Sequence, residues 1–572
     1  MIKQNNLFRM ALMAVLVLAL FSCSKTNKEG RMIPLNASYV MHINAAQMSS
    51  KVSWDEMKNS EVYKELLSDT SIPKYLVEVM NNPENSGIDT KKDMVGFLVV
   101  DKKGSYSGFV GSIKDAEKFN TFNKDLIKDG FEKQEDGITY ITKKPMALGY
   151  NKEKFVYVTA APGMEGFGRR YDDKDASSSL DLKQTIADLF KISEDKSLAK
   201  NEKFSALMKD NADVHIWFNS EPLTEGLSEE MPLVDLSKFT KGNITTASIT
   251  FNNGNIAVKS KWYASKELSA IFKKYEGGNI DENMVNRLPA TGVNALFAMN
   301  FKPEGIKEIL KLTGMEGLLS GMLKKETDFT VDDFIKANKG DLLVAVSNVH
   351  TKTESYSFGT GPNAQTYTHS SPEADYIFAA SINDKPAFNK IIQAGQEKMK
   401  AGSMDEMPDS VKAKLPAYST NDKYFAIGTK PVVDGFFSGS NKNTDLIKLI
   451  GGKPFGGYAD FQSLMKGIGP DEKMDSSEKV MYDLSLQMWD NAILKGGDFE
   501  DGALVLDFTI NLKDKSTNSL KQLTSYLQKL AALQRQKEKK EETEVMDTMV
   551  APPPPPPADL VKPNSKVPAP KK

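Results

Sequence analysis

Four short blocks recur in the same order along the chain, each roughly 250 to 270 residues after its first appearance. Ile33-Pro34-Leu35 leading into Tyr39-Val40-Met41-His42-Ile43-Asn44 is matched by Leu288-Pro289-Ala290 leading into Ala295-Leu296-Phe297-Ala298-Met299-Asn300. Val110-Gly111-Ser112-Ile113-Lys114-Asp115, running to Phe119-Asn120, is matched by Ala379-Ala380-Ser381-Ile382-Asn383-Asp384, running to Phe388-Asn389. Asn151 to Phe155 is echoed by Asn421 to Phe425, and Asn253-Gly254 with Ile256 to Val258 by Asp501-Gly502 with Leu504 to Leu506. A period this long is no solenoid repeat. It predicts two homologous halves, 32–280 and 285–531, either as tandem domains or as one large pseudo-symmetric domain.

Each half mixes strands with helices. Leu504, Leu506, Phe508, Ile510 and Leu512 alternate with polar residues, as a half-buried strand does. Asp501-Gly502 and Asn253-Gly254 are hairpin signals. Asp115 and Asp384 stand where an N-cap accepts the first free amides, before helices near Ala116–Lys128 and Lys385–Met399. Leu520, Leu523, Leu527 and Leu530 make an apolar stripe on a last helix that packs on its own sheet. The fold class is therefore α+β: two tandem halves with largely antiparallel sheets flanked by helices, and a disordered proline-rich C-terminal tail.

The ends differ in character from the middle. Lys3 and Arg9 precede an apolar run, Met10 to Phe21, of signal-peptide length. The run ends in Leu20-Phe21-Ser22-Cys23, which resembles a bacterial lipobox, with Phe21 a looser match at its position. The resemblance implies residues 1–22 as a removed leader, acyl chains on Cys23, a polar tether over 23–31, and membrane attachment. Ser24 implies sorting to the outer membrane, facing the periplasm, with the cell surface as the alternative. At the other end, Gln534 to Glu544 is charged or polar, and Pro552 to Pro557 is unbroken proline. Residues 534–572 read as a disordered tail: a polyproline spacer, or a segment that docks on an envelope protein partner.

The 572 residues include 74 Lys and Arg, 76 Asp and Glu, four His and one Cys. A net charge of −2 gives no reason to expect nucleic acid. A single Cys excludes an internal disulfide. His42, His215, His350 and His369 fall in no metal-ligand spacing, and no nucleophile elbow, P-loop or dinucleotide fingerprint occurs. Asp172 to Asp181 lacks the Gly and Glu of a calcium loop. No cofactor, metal or catalytic residue is assigned. The Ser/Thr-rich insertion Thr351 to Ser371 is the main asymmetry between the halves, and Tyr356, Phe358, Tyr367 and His369 in it are candidate contact residues.

The combination resembles a family of Bacteroidota lipoproteins known as domain of unknown function 4836. The residues that carry the likeness are Leu20 to Cys23, the Ile33-Pro34-Leu35 start, the Asn253-Gly254 hairpin ending in Lys259 to Tyr263, and Asp501 to Leu512. The likeness spans most of 23–530 and implies no known activity. The expected function is that of a lipid-anchored envelope protein, a non-enzymatic binding or scaffolding module. The alternatives are a hydrolase or carbohydrate-active enzyme with a site between the halves, and an accessory subunit of an outer-membrane transport or assembly complex.

Overall fold

The computed structural model describes residues 30–58, 78, 81–101, 104–161, 180–223, 237–289, 291–327, 329–358, 365–401, 415–439, 442–470 and 474–550. Cys23 with its leader, Asp172 to Asp175, and the proline run lie outside the described residues.

The first strand series is β1 (Tyr39–Ile43), β2 (Met94–Val99), β3 (Ser105–Ser112), β4 (Phe131–Glu135), β5 (Ile138–Lys143), β6 (Met146–Tyr150), β7 (Lys154–Ala161), β8 (Val214–Asn219), β9 (Ile244–Asn252) and β10 (Asn255–Tyr263). Its main helices are α1 (Ala45–Lys51), α2 (Ala116–Leu126), α3 (Leu182–Lys191), α4 (Glu202–Leu207) and α5 (Lys266–Lys274). The second series is β11 (Val293–Asn300), β12 (Asn338–Phe358), β13 (Gln365–Ile382), β14 (Ala417–Thr420), β15 (Tyr424–Gly428), β16 (Phe455–Asp460), β17 (Trp489–Glu500) and β18 (Ala503–Leu512). With it come α6 (Glu282–Asn286), α7 (Pro303–Leu312), α8 (Met315–Glu326), α9 (Val331–Ala337), α10 (Lys385–Ala401), α11 (Lys430–Ser438), α12 (Thr444–Ile450), α13 (Phe461–Ile468), α14 (Ser476–Met488) and α15 (Ser519–Val550).

All strands join one antiparallel sheet, in the order β4-β5-β6-β7-β3-β2-β1-β8-β9-β10-β18-β17-β16-β11-β12-β13-β15-β14. Leaving out the β4–β5 hairpin, the two series have the same order and meet edge to edge through their last strands. At the seam Lys259 pairs with Asp507, Ile256 with Ile510, and Trp262 with Leu504. Lys259 is the fifth residue after Gly254 and Asp507 the fifth after Gly502, so the register is symmetric about that pair. The Asp501-Gly502 turn has both residues at positive φ (50° and 79°), the geometry of a tight hairpin turn that matches strand twist.

The core lies mainly on one face. In the first series Val40, Phe97, Val156, Val158 and Trp217 meet Ile186 and Leu189 of α3 and Phe204 of α4. In the second, Leu296, Leu343, Ile377 and Ala426 meet Val285 of α6, Phe436 of α11 and Ile450 of α12. Ala503 of β18 belongs to the first core, so that core reaches across the seam. The other face carries helices around its margin. Phe119 of α2 stacks on Phe155 at 5.1 Å, and Phe388 of α10 on Phe425 at 5.3 Å. Phe272 of α5 lies 5.3 Å from Trp262, and Tyr526 of α15 lies 5.6 Å from Trp489. Asp115 caps α2 by accepting from the amides of Glu117 and Lys118, and Asp384 accepts from the Ala387 amide.

Several sequence boundaries shift. Gly30 packs against Leu198 and Ala199, and Arg31 reaches Glu194 at 2.7 Å, so these two residues are part of the fold rather than of a tether. Ile280, Met284 and Val285 belong to the second core, which moves the division between the halves toward Gly277-Gly278. The charged stretch from Gln534 is helical as far as Val550, not irregular. Its Lys, Glu and Gln residues are strong helix formers, and Lys537 pairs with Asp475 (3.1 Å) and Glu478 (3.0 Å) on α14. The leucine stripe on α15 is only partly covered, Leu527 being half exposed.

The seam predicts a coupled stability. Lys259→Pro removes a ladder hydrogen bond in a central strand, with an expected loss of at least about 3 kcal/mol. Calorimetry should show one cooperative transition for the parent and two for the variant.

Candidate functional site

The face opposite the main core has a floor without charge. Cross-strand partners point to the same side of a sheet. One row of partners runs Phe378, Val344, Phe297, Gly457, Leu494, Phe508, Val258, Ile249, Val214 and Ile43. The next runs Tyr157, Phe109, Gly96, Met41, Ile216, Ala247, Ser260 and Leu506. Phe109, Met41, Phe508, Phe297, Val344 and Phe378 are 36–46% exposed, recessed rather than protruding. Met41 and Phe109 correspond, block for block, to Phe297 and Phe378. Above Gly96, between Met41 and Phe109, a Cβ would meet nothing within 4 Å. The sequence signal for this floor was present: Ala295 to Met299 and Leu342 to Val346 are continuous apolar runs, as in strands covered on both faces.

On the core-bearing face the centre of the sheet is polar. His42, His215, Ser248, Lys259, Asp507 and Lys495 follow one another as cross-strand partners. Beside the seam lies a shallow, open depression of about 400 Å³, lined by Asp210, Asn211, Ser248, Lys259 and Asp507 among others. Asp210 accepts from the Ser248 hydroxyl at 2.6 Å. Behind it, buried His42 and His215 meet Nδ1 to Nδ1 at 3.1 Å. His215 Nε2 donates to the Asp210 carbonyl at 3.0 Å, which leaves its Nδ1 as acceptor and makes His42 Nδ1 the donor. His42 Nε2 lies 3.1 Å from Asp93 Oδ2, an ion pair when His42 is protonated. Burial holds the His215 pKa below its ordinary value. Burial works to raise that of Asp93, but the hydrogen bond and charge of His42 and the Ala45 amide hold it lower. Buried Asp213 is matched by Lys51 of α1 and the Phe251 amide. Among the described residues, no three His, Cys, Asp or Glu side chains are placed to hold a metal ion.

The insertion, expected as a long hairpin loop, is a two-stranded ribbon in which β12 and β13 continue past their neighbours. One side is a hydroxyl ladder, with Thr353–Ser370 at 3.0 Å and Ser357–Thr366 at 3.0 Å. The other carries Tyr356 opposite Tyr367, His369 opposite Glu354, and Phe358, whose ring lies 5.9 Å from Tyr367. Tyr356, Phe358 and Tyr367 are brought together and are 49%, 65% and 57% exposed. His350 pairs with Glu373 and stays apart from His369. Asp181 accepts from the Gln184 amide as the cap of α3. No described helix is long and apolar enough to cross a membrane.

One antiparallel sheet flanked by helices places the described chain in the α+β class. The chain belongs to the family described as a domain of unknown function (DUF4836), whose model matches residues 30–407, a shorter span than the 23–530 read from the residues. No curated protein matches it. Among solved structures, crystal form III of TP0453 is 8% identical with a TM-score of 0.25, over 44% of this chain and 89% of that one. Crystal form IV is 9% identical with a TM-score of 0.23, over 42% and 85%. Similarity at this level does not define a shared fold.

Buried His215 sets a pH dependence. The unfolded chain protonates His215 near its ordinary value of 6.5, whereas the folded chain resists until lower pH. Its contribution is complete above that value and is lost as the pH falls through the folded pKa; the Asp93 contribution is lost below 3.8. Urea midpoints should therefore fall on acidification from pH 7.5 to 5, and His215→Gln should flatten that slope while lowering stability at pH 7.5.

Proposed function

We propose that this protein is a lipid-anchored binding module of the bacterial cell envelope, non-enzymatic, and built from two homologous halves fused edge to edge. The observation that supports binding is the uncharged floor, which reaches across the strands of both series with its larger side chains recessed but open. A protein that keeps such a surface unfilled in a folded state does so for a ligand. The shared strand order and the symmetric seam favour duplication. Attachment rests on Leu20 to Cys23: acylated Cys23 holds the chain on the outer membrane, facing the periplasm. The proline-rich segment after Val550 then serves as spacer or as contact for an envelope partner.

The ribbon favours a second reading, an accessory subunit of an outer-membrane complex. Exposed Tyr356, Phe358 and Tyr367 form an aromatic face of the kind that protein interfaces use as anchors.

Two outcomes are expected. The intact mass of the mature protein should equal the chain from Cys23 plus acyl groups, and Cys23→Ala should move the protein from the membrane to the soluble fraction. A mature chain with no acyl increment overturns the anchor. Replacing Tyr356, Phe358 and Tyr367 by Ser should change stability by no more than about 0.5 kcal/mol per site, because the rings are exposed. The same variant should lose any protein that co-purifies with the parent from detergent extracts.

A further inference from the structure

We infer that the apolar floor binds the acyl chains of a membrane lipid, laid across the strands between Phe109 on β3 and Phe378 on β13. This deepens the binding-module reading and rests on it. Twelve strands separate these ends inclusively, about 50 Å at the usual strand spacing. That exceeds the ~30 Å hydrocarbon thickness of a bilayer, which is two acyl layers end to end.

The floor's chemistry selects hydrocarbon over protein. A protein interface carries about one hydrogen bond per 100–200 Å². The row through Met41 and Phe109, and the row through Phe297, Val344 and Phe378, contain no charged side chain. The backbone beneath is already paired into the ladder on both sides, so an extended peptide cannot add to it as a strand. Four helices on this face, seen in the ring contacts of Phe119, Phe388, Phe272 and Tyr526, form a raised margin. A second flat sheet, from another copy of the chain, would meet that margin before reaching the recessed side chains. A flexible hydrocarbon chain passes between the helices, and the open space above Gly96 receives it.

The test uses the full-length protein, purified in detergent and exchanged against vesicles of dioleoyl phosphatidylethanolamine. Native and denaturing masses of one preparation are compared, so that acyl groups covalently held at Cys23 appear in both and bound lipid only in the first. The parent should carry at least one dioleoyl phosphatidylethanolamine per chain. Met41→Glu with Val344→Glu, one charge on each half's floor at a partly exposed position, should reduce occupancy at least tenfold. Val344→Leu should retain it, and circular dichroism should show all variants folded. If the double variant does not fold, Gly96→Trp, which fills open space, takes its place and should also lower occupancy. Absence of lipid in the parent, or equal occupancy in the variants, overturns the proposal. Nile red fluorescence on the same samples separates the two levels of the argument. Dye bound by the parent and lost in the variant, with no lipid carried, overturns acyl binding alone; neither dye nor lipid bound overturns the binding-module reading as well.

Discussion

The pairing of β10 with β18 is the contact on which the rest of the architecture depends. Without it each strand series would end in an open edge of nine or ten residues, a template for uncontrolled pairing. With it those two edges satisfy each other, and the free edges that remain are β4 and β14. β4 is exposed along its whole length and carries Glu132, Lys133 and Glu135; β14 has only four residues. The seam thus places the long apolar strands in the interior of the sheet and the short or charged ones outside.

Sheet continuity then fixes what each face can be. Side chains alternate, so one register decides every facing residue at once. Around the seam the alternation puts Ser248, Lys259, Asp507 and Lys495 on one side and Ile249, Val258, Phe508 and Leu494 on the other. Away from the seam the first side is closed by α3 and α4 in one series and by α6, α11 and α12 in the other. On the second side the helices seen in the ring contacts lie at its margin. The polar centre and the apolar floor are therefore the two surfaces of the same strands, and neither can be altered in register without exchanging them.

The shared turns and caps were legible because local physics constrains such residues: Gly254 and Gly502 for positive φ, Asp115 and Asp384 for free amides. The single sheet was not, since nothing in the local sequence of Lys259 or Asp507 states that they are partners. The strand from Ala503 to Leu512 read correctly as alternating, but its neighbour β10 went unseen. The hairpin over Thr351 to Ser371 was legible, but its regular pairing was not: Ser and Thr dominate it, and their hydroxyls meet across the strands. The charged helix after Gln534 was missed because its stabilising partners, Asp475 and Glu478, lie on another helix. Of the candidate contact residues, three proved to form one aromatic face, whereas the floor residues sat in the sequence as ordinary core.

Corresponding positions of the two series also show where they part. His42 and His215 face each other across β1 and β8; at the same places across β11 and β16 stand Ala298 and Gly456. The small pair lets the covering layer come close: a Cβ on Gly456 would lie 2.8 Å from Ile450 Cβ and 2.6 Å from its carbonyl oxygen. The histidine pair cannot admit that approach, and its ring nitrogens need partners, which Asp93 and the Asp210 carbonyl supply. One sheet position has thus been closed by packing in one half and by a charged network in the other. The network places titrating groups in the first series where the second has none at the same sheet position, while the floor on the reverse side stays apolar in both.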